Sequence, residues 1–405
     1  MAAALTEASW AGSVQPRRSL ATLTLTHAVN DSHQAAVPIL VPFFIAERDF
    51  SYTHASLLVL AATVTASTLQ PLFGLLSDHT PMPWLLPASL LIGAGGIAAI
   101  GLSTNFVVNL ITVSISGLGV AAFHPEAAKQ VYAIGHAGRA RAMSTFAVGG
   151  TAGFALGPLI LAPSLTTLGP KGTLIIGLPA LLCVAGTYSV TRARTEATRR
   201  SDPDTADGTS NAWRAFAYLL SFLAMQSLVF FGLLSFMPLF FTSVLHATQA
   251  TASTALTLML ISGSAGMVLA GVLADKLGAR RIIIGSIVCS IPLLAGTLAS
   301  EPLGASILLA LLGAALVAPF SLAVVLGQHY LPSRVGTASG LTLGFSIGIG
   351  GLGVPALGLI ADRYGLTATM IALLGLTALA LVFALKLPQS HATTTDAVKR
   401  AARCT

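Results

Sequence analysis

Two apolar runs of this chain carry residues able to bind and pass on a proton. Leu20 to Ala46 contains His27-Ala-Val-Asn30-Asp31-Ser-His33-Gln34, and Phe106 to about Tyr132 contains Phe123-His124-Pro125-Glu126. An ionisable group at bilayer depth costs several kcal/mol and faces a protein-lined or water-filled cavity. On a helix, His27, Asn30, Asp31 and Gln34 fall at i, i+3, i+4 and i+7, a single stripe about 100° wide. Pro38 continues that stripe and Pro42 follows, so the outer part of the helix is expected to bend. His33 points elsewhere and reads as a packing or hydrogen-bonding residue. Burial disfavours a carboxylate's charge and a neighbouring imidazolium favours it, so a buried Asp/Glu–His set is suited to taking up and releasing protons near neutral pH.

Depth brings the two sets together. From a span centre near residue 33, Asp31 is near the midplane and His27 is roughly 9 Å toward the cytoplasm. Glu126 lies about 10 Å to the cytoplasmic side of its own span centre, with His124 slightly less. The two polar sets therefore overlap in depth. A fold that set the first and fourth spans side by side, as the resemblance given below implies, would let His27 or Asp31 meet His124 or Glu126. Pro125 has no N–H for the Ala121 carbonyl, which leaves an acceptor for a substrate, water or side chain. The plainer reading is a set of static interhelical hydrogen bonds, with Glu126 pairing Lys129 one turn on.

The elements that must hold these residues follow from composition. The 405 residues are 54% hydrophobic and 9% charged, with a mean hydropathy of +0.83. Soluble domains carry about a quarter charged residues, so this is a polytopic membrane protein. The net charge of +7 comes from Lys and Arg scattered at the ends of apolar runs, which is a topology signal and not a nucleic-acid face. Cys183, Cys289 and Cys404 form neither a metal-ligand spacing nor a disulfide framework. Arg17-Arg18 precedes the first run with no cleavage-type site after it, so a retained first helix is expected. No P-loop is present, so ATP is not the driver.

Spanning helices need about 20 apolar residues. Twelve are expected, near 20–46, 53–77, 84–103, 106–132, 142–163, 172–191, 213–244, 252–274, 281–299, 303–328, 336–361 and 367–386. The implied fold is an all-α integral membrane protein of two pseudo-symmetric six-helix bundles, 20–191 and 213–386. A cytoplasmic linker, 192–212, joins them, and 1–19 and 387–405 are cytoplasmic tails. With both termini inside, 18 of the 21 Lys and Arg are cytoplasmic and three, Arg48, Lys171 and Arg363, are outside. The positive-inside rule accepts that orientation in the cell's inner (plasma) membrane.

The chain repeats itself at one offset. Gly74-Leu-Leu-Ser-Asp78 recurs as Gly271-Val-Leu-Ala-Asp275, and Gly153 to Pro158 matches Gly350 to Pro355, each 197 residues on (271 − 74 and 350 − 153). Gly358-Leu-Ile-Ala-Asp362-Arg-Tyr-Gly365 echoes the first motif at the opposite membrane face. Nested repeats of this kind occur in the major facilitator fold. Gly271-Val-Leu-Ala-Asp275-Lys-Leu-Gly278-Ala-Arg280-Arg281 resembles the signature loop of major facilitator transporters. His27-x-x-Asn30-Asp31, Phe123-His124-Pro125-Glu126, and Gln70-Pro71-Leu-x-Gly74 with Pro81-x-Pro83 resemble the fosmidomycin-resistance subfamily of drug exporters, over most of the N-terminal half. One departure stands out: the first loop, Asp78-His-Thr-Pro81-Met-Pro83, lacks the expected arginines, so its gate is expected to be held more weakly.

The resemblance implies roles. Asp275, Gly278, Arg280 and Arg281 would bind a neighbouring helix N-terminus and cross-link the cytoplasmic side, with Gly74 and Asp78 as their counterparts. Gly149, Gly150, Gly153, Gly157 and Pro158 resemble the antiporter-associated motif; small residues there let backbones approach. Asp31 and Glu126 would relay protons with His27 and His124, while Asn30, Gln34, Gln226 and Gln328 would contact a small organic substrate. At the repeat offset Asp31 falls on Leu228 and Glu126 on Ala323, so ion coupling is concentrated in the N-terminal half. Phe230, Phe231, Phe236, Phe240 and Phe241 could wall the substrate path, with at least half of them expected to face lipid. The expected activity is a proton-coupled antiporter exporting drugs or small organic molecules. It would be a monomer in the bilayer, driven by the proton gradient with no cofactor and no metal. The alternatives are a symporter taking up an organic anion or metabolite, a metal-ion transporter using the histidines and carboxylates, and a non-transporting receptor.

Overall fold

The computed structural model describes residues 16–48, 50, 52–135, 138–200 and 210–388. The tails, most of the linker and Cys404 lie outside them, as does the side chain of Pro158. The described residues form helices: α1 Pro16–Arg48, α2 Tyr52–Thr68, α3 Gln70–His79, α4 Leu85–Ile100, α5 Phe106–Gly135, α6 Arg139–Leu168, a 3₁₀ segment Gly169–Gly177, α7 Leu178–Arg200, α8 Trp213–Ser243, α9 Gln249–Leu277, α10 Ala279–Ala299, α11 Pro302–Tyr330 and α12 Val335–Leu385. In lipid every backbone polar group must find its partner inside the chain, and a helix does that within one segment. Leu182, Leu303, Leu352 and Leu159 point outward with 69–84% of their surface exposed, which suits a hydrocarbon solvent and no aqueous one.

Eight helices among the described residues are long and apolar enough to cross a membrane. Two of these stretches, Arg139–Ala193 and Val335–Leu385, run long enough for two crossings each. With α1, whose polar stripe lowers its hydropathy, and the shorter α4, the count reaches the expected twelve. The second expected span is split at Leu69 into α2 and α3, where Pro71 cannot donate to the helical ladder. The last two run together except at Gly365, whose φ of 84° breaks the helix. Gly278, closing the signature loop, has φ 90°. Each glycine lies three residues after an aspartate, Asp362 or Asp275, so the echoed motif is also a conformational echo; only glycine adopts such a backbone without strain.

Two compact units are present. One comprises Met1–Ile134, Thr145–Ser210 and Ser333–Gly344; the other comprises Gly135–Ser144, Asn211–Pro332 and Phe345–Thr405. In the first, Ala36, Val37 and Leu40 of α1, Leu58 and Ala62 of α2, Ile97 and Ile100 of α4, and Val113 of α5 share one core. Glycines set how closely its helices lie. A Cβ on Gly96 would meet Ser116, and one on Gly117 would meet the Ala62 carbonyl. These contacts seat α5 between α2 and α4. In the second unit α8, α9, α11 and α12 enclose Met259, Leu309, Leu316, Leu373, Phe240 and Phe241. The phenylalanines of α8 do not turn to lipid as expected. Phe240 and Phe241 are buried, while Phe230, Phe231 and Phe236 are half-buried. Leu228 and Phe231 fill space left by Gly353 and Gly350, so the aromatic side chains pack where helix backbones stand apart.

Close packing and open space are separable by substitution. A Cβ on Gly313 would run into the Met259 backbone, whereas one on Gly285 meets nothing within 4 Å. Gly313→Leu is expected to destabilise the protein by at least about 1–3 kcal/mol. Gly285→Ala is expected to be neutral or to stabilise by up to roughly 1 kcal/mol. Thermal unfolding of the detergent-solubilised protein compares them, and equal melting temperatures would contradict this packing.

Candidate functional site

The stripe predicted on α1 forms one wall of a buried polar cluster. His27, Asn30, Asp31 and His124 are each at most 7% exposed. One turn of helix brings His27 Nε2 to 3.3 Å from Asp31 Oδ2. His124, from α5, places its Nε2 3.3 Å from Asp31 Oδ1. Asn30 donates from Nδ2 to the same Oδ1 at 3.0 Å. The carboxylate is thus ringed by three nitrogens, two from its own helix and one from a neighbour.

The rings are held from behind. His27 Nδ1 lies 2.7 Å from the Phe146 carbonyl of α6, and His124 Nδ1 lies 2.9 Å from the Val120 carbonyl one turn back on α5. The His27 ring stacks on Phe146 with centroids 4.1 Å apart and meets His124 edge-on at 5.2 Å. A glycine row lets α6 approach. Added Cβ atoms on Gly149 and Gly153 would strike the Thr24 and Ala28 carbonyls, and one on Gly157 would lie 2.9 Å from that of Ser32. These are i, i+4 and i+8 on both helices, a ridge of α6 seated on a row of α1 backbone. Gly150 is turned to the cluster itself, where a Cβ would lie 2.6 Å from Asp31 Oδ2 and 2.7 Å from the His27 ring.

Glu126 is not brought into this cluster. It accepts hydrogen bonds from Ser77 of α3 and from Gln130 Nε2, the latter at 2.9 Å. Lys129 donates to the Ser77 carbonyl at 2.5 Å and comes within 3.9 Å of Asp78. Asp78 accepts at 2.7 Å from the backbone N–H groups of Gly336 and Thr337 and from the Thr337 hydroxyl, at the start of α12. In the other unit Asp275 accepts from the N–H groups of Ala140 and Arg141, at 3.1 and 3.2 Å, at the start of α6. Both aspartates therefore sit on helix N-termini, as the repeat implies, where the exposed N–H groups and the helix dipole favour an anion.

One expectation is corrected below. Although its loop has no arginines, Asp78 has three donors, each nearer than the two at Asp275, and Lys129 supplies a cation from α5. Arg280 does not go to the helix N-terminus that Asp275 binds. Its guanidinium only donates, and it donates to the Leu385 and Leu387 carbonyls at 2.9 and 2.5 Å, just where α12 ends. Arg281 reaches back to the Leu277 carbonyl at 3.4 Å.

The other candidates scatter. Gln34 is half-buried, and His33 faces the Ile176 carbonyl at 3.3 Å, apart from the cluster as expected. Gln226 and Gln328 are fully buried in the second unit, where Gln226 donates to the Leu316 carbonyl of α11 at 2.5 Å. Sequence reasoning missed Phe146 and Ser77 and treated Gly150 as packing alone. The repeat offset carries an unused signal: Ala140, a donor to Asp275, falls 197 residues on at Thr337 (140 + 197), a donor to Asp78. Donor atoms of His27, Asp31 and His124 lie within 4.8 Å of one another. Asn30 already donates to Oδ1, and a Cβ on Gly150 would lie 2.6 Å from Oδ2.

Similarity to known proteins agrees with this architecture. The family model described as Major Facilitator Superfamily matches residues 23–353. The chain is 32% identical over 365 residues to an uncharacterised MFS-type transporter, YfnC, of Bacillus subtilis, covering 87% of this chain and 89% of that one. It is 28% identical over 351 residues to the fosmidomycin resistance protein of Escherichia coli, covering 85% and 86%. Its fold is similar to that of the transporter FucP in an outward conformation, with a TM-score of 0.72 at 16% identity over 92% of this chain and 99% of FucP. It is also similar to the human organic anion transporter MFSD10, with a TM-score of 0.70 at 18% identity over 92% and 100%. A helical membrane bundle with paired aspartate loops, matched over most of its length by transporters, is a transport protein and not an enzyme: the chain belongs to the Major Facilitator Superfamily.

Proposed function

We propose that the chain is a proton-coupled antiporter that exports a small organic molecule across the cytoplasmic membrane by alternating access. The observation that carries the reading is the Asp31 carboxylate enclosed by His27 and His124 in a buried helical interior. An ionisable cluster at such depth marks an ion pathway more often than a structural tie. Export is supported by the similarity to a fosmidomycin resistance protein and by the glycine row that joins α6 to α1. Asp78 and Asp275 act as latches that release when the α12 and α6 N-termini move away. Glu126 lies two residues beyond His124 and is tied to Ser77 beside Asp78, so it serves as the relay between the cluster and that latch.

Four outcomes are expected. In proteoliposomes with an imposed pH gradient, Asp31→Asn removes the anion that both imidazoles face, so coupled flux is expected to fall on the order of a hundredfold or more. Glu126→Gln keeps partners for Ser77 and Gln130 and slows flux less. Wild-type rates in Asp31→Asn would sink the coupling reading. Gly150→Ala, in which a methyl group crowds Asp31 and His27, is expected to lose pH-driven flux while retaining the wild-type melting temperature to within a few degrees. Full flux in that variant would mean that α6 does not seal the cluster. Cells lacking the protein are expected to become more susceptible to its substrate, with fosmidomycin the first compound to test. Unchanged susceptibility across a broad panel, together with pH-driven uptake in vesicles, would favour the symporter.

A further inference from the structure

The hydrogen-bond valences of the cluster say where its protons sit. Both Nδ1 atoms face backbone carbonyls, of Phe146 and Val120. A carbonyl only accepts, so each Nδ1 carries a hydrogen. Each Nε2 then has two states, a bare lone pair or a second N–H that makes the ring an imidazolium. Both Nε2 atoms point at carboxylate oxygens 3.3 Å away. A bare Nε2 would set its lone pair against those of oxygen, whereas an N–H would make a charge-assisted bond. Asp31 Oδ1 also accepts from Asn30, a contact that strengthens with negative charge on the oxygen.

The groups around the cluster leave that assignment intact. Asn30 faces it from α1, Phe123 from α5, and Phe146 and Gly150 from α6. Of the nearest ionisable side chains, Glu126 is turned to Ser77 and Gln130, and His33 to Ile176. The two imidazoles also differ in what they join. The His27 bond to Asp31 stays within α1, and its ring is fixed against Phe146. The His124 bond crosses from α5 to α1.

We propose that the transported protons ride on Nε2 of His27 and Nε2 of His124, up to two per cycle, with Asp31 as their fixed counter-anion, and that loading His124 clamps α5 onto α1. This rests on the proton-coupled reading above. Each proton arrives from water onto an Nε2 lone pair and returns to water on the opposite side. The cluster charge steps from −1 through 0 to +1, and Asp31 remains a carboxylate throughout. Unloading His124 removes the N–H that bridges the two helices, so proton release frees α5.

Infrared difference spectra of the full chain in lipid, taken between alkaline and acid buffer, test this. Among the imidazolium signals that the nine histidines of the chain contribute in acid, two are expected to belong to the cluster; His124→Gln loses one and His27→Gln the other. His124→Asn serves as a second variant should the first fail to fold. No protonated-carboxyl C=O band that depends on Asp31 is expected. Such a band, present in wild type and absent in Asp31→Asn, would put the proton on Asp31 and overturn the proposal, as would imidazolium signals unchanged in both histidine variants. A wild type that gives the expected spectra but no flux under a pH gradient fails the coupling reading instead, and the two failures stay distinct.

Discussion

A carboxylate taken out of water is tolerated only if hydrogen-bond donors replace its hydration, and the first unit is arranged around meeting that condition for Asp31. Its own helix provides Asn30 and His27, but the third donor must come from elsewhere. Pairing with His124 requires α5 at a fixed depth and rotation, which the glycine contacts with α2 and α4 set. Keeping water away from the remaining side requires α6 to lie almost in backbone contact with α1. Gly149, Gly153 and Gly157 therefore help to hold the cluster together, although none of them touches the carboxylate. Any side chain there separates two helices, and the cluster opens along their whole seam.

The same electrostatic rule, applied at helix ends, organises the loops. Asp78 and Asp275 are acceptors placed on helix N-termini; Arg280 is a donor placed on a helix C-terminus. A signature defined by charged residues thus divides by the polarity of the groups it meets and not by one shared contact. Where the first loop has Pro81 and Pro83 in place of glycine and arginine, the cation comes from Lys129 on α5. That helix then carries His124 at the cluster and, within five residues, Glu126 and Lys129 beside Asp78. Pro125 stands between them, so the helix that joins the two places has a gap in its backbone ladder at the Ala121 carbonyl.

Much of this is legible in sequence because helical geometry is local. The i, i+3, i+4 spacing put His27, Asn30 and Asp31 on one side of α1, and the depth of His124 overlapped theirs. The 197-residue repeat located both loop aspartates. What stayed hidden depends on rotation about helix axes and on backbone groups. Glu126 and His124 are two residues apart and so point about 200° apart on a helix; depth alone could not say which of them faces α1. Phe146 takes part through its carbonyl, which every residue has, and no residue type announces that role. Arg280 was misassigned because a motif records proximity in sequence, while the orphan carbonyls that attract a guanidinium come from the end of α12.

Duplication also shows what the second unit gave up. At the offset of Asp31 stands Leu228, and opposite it Gly353 of α12 leaves room that Leu228 fills. Gly350, the counterpart of Gly153, receives the ring of Phe231 where Gly153 receives a bare backbone carbonyl. The scaffold positions are kept, but side chains occupy what the first unit holds closed by backbone contact. Gln226, the polar group that remains on α8, bonds the Leu316 carbonyl and joins α8 to α11 without any charge. A second buried carboxylate would have required a second set of converging donors and a second glycine seam. Among the described residues the buried aspartate with two histidine partners belongs to the first unit, while the second keeps its charges at helix ends, at Asp275 and Arg280.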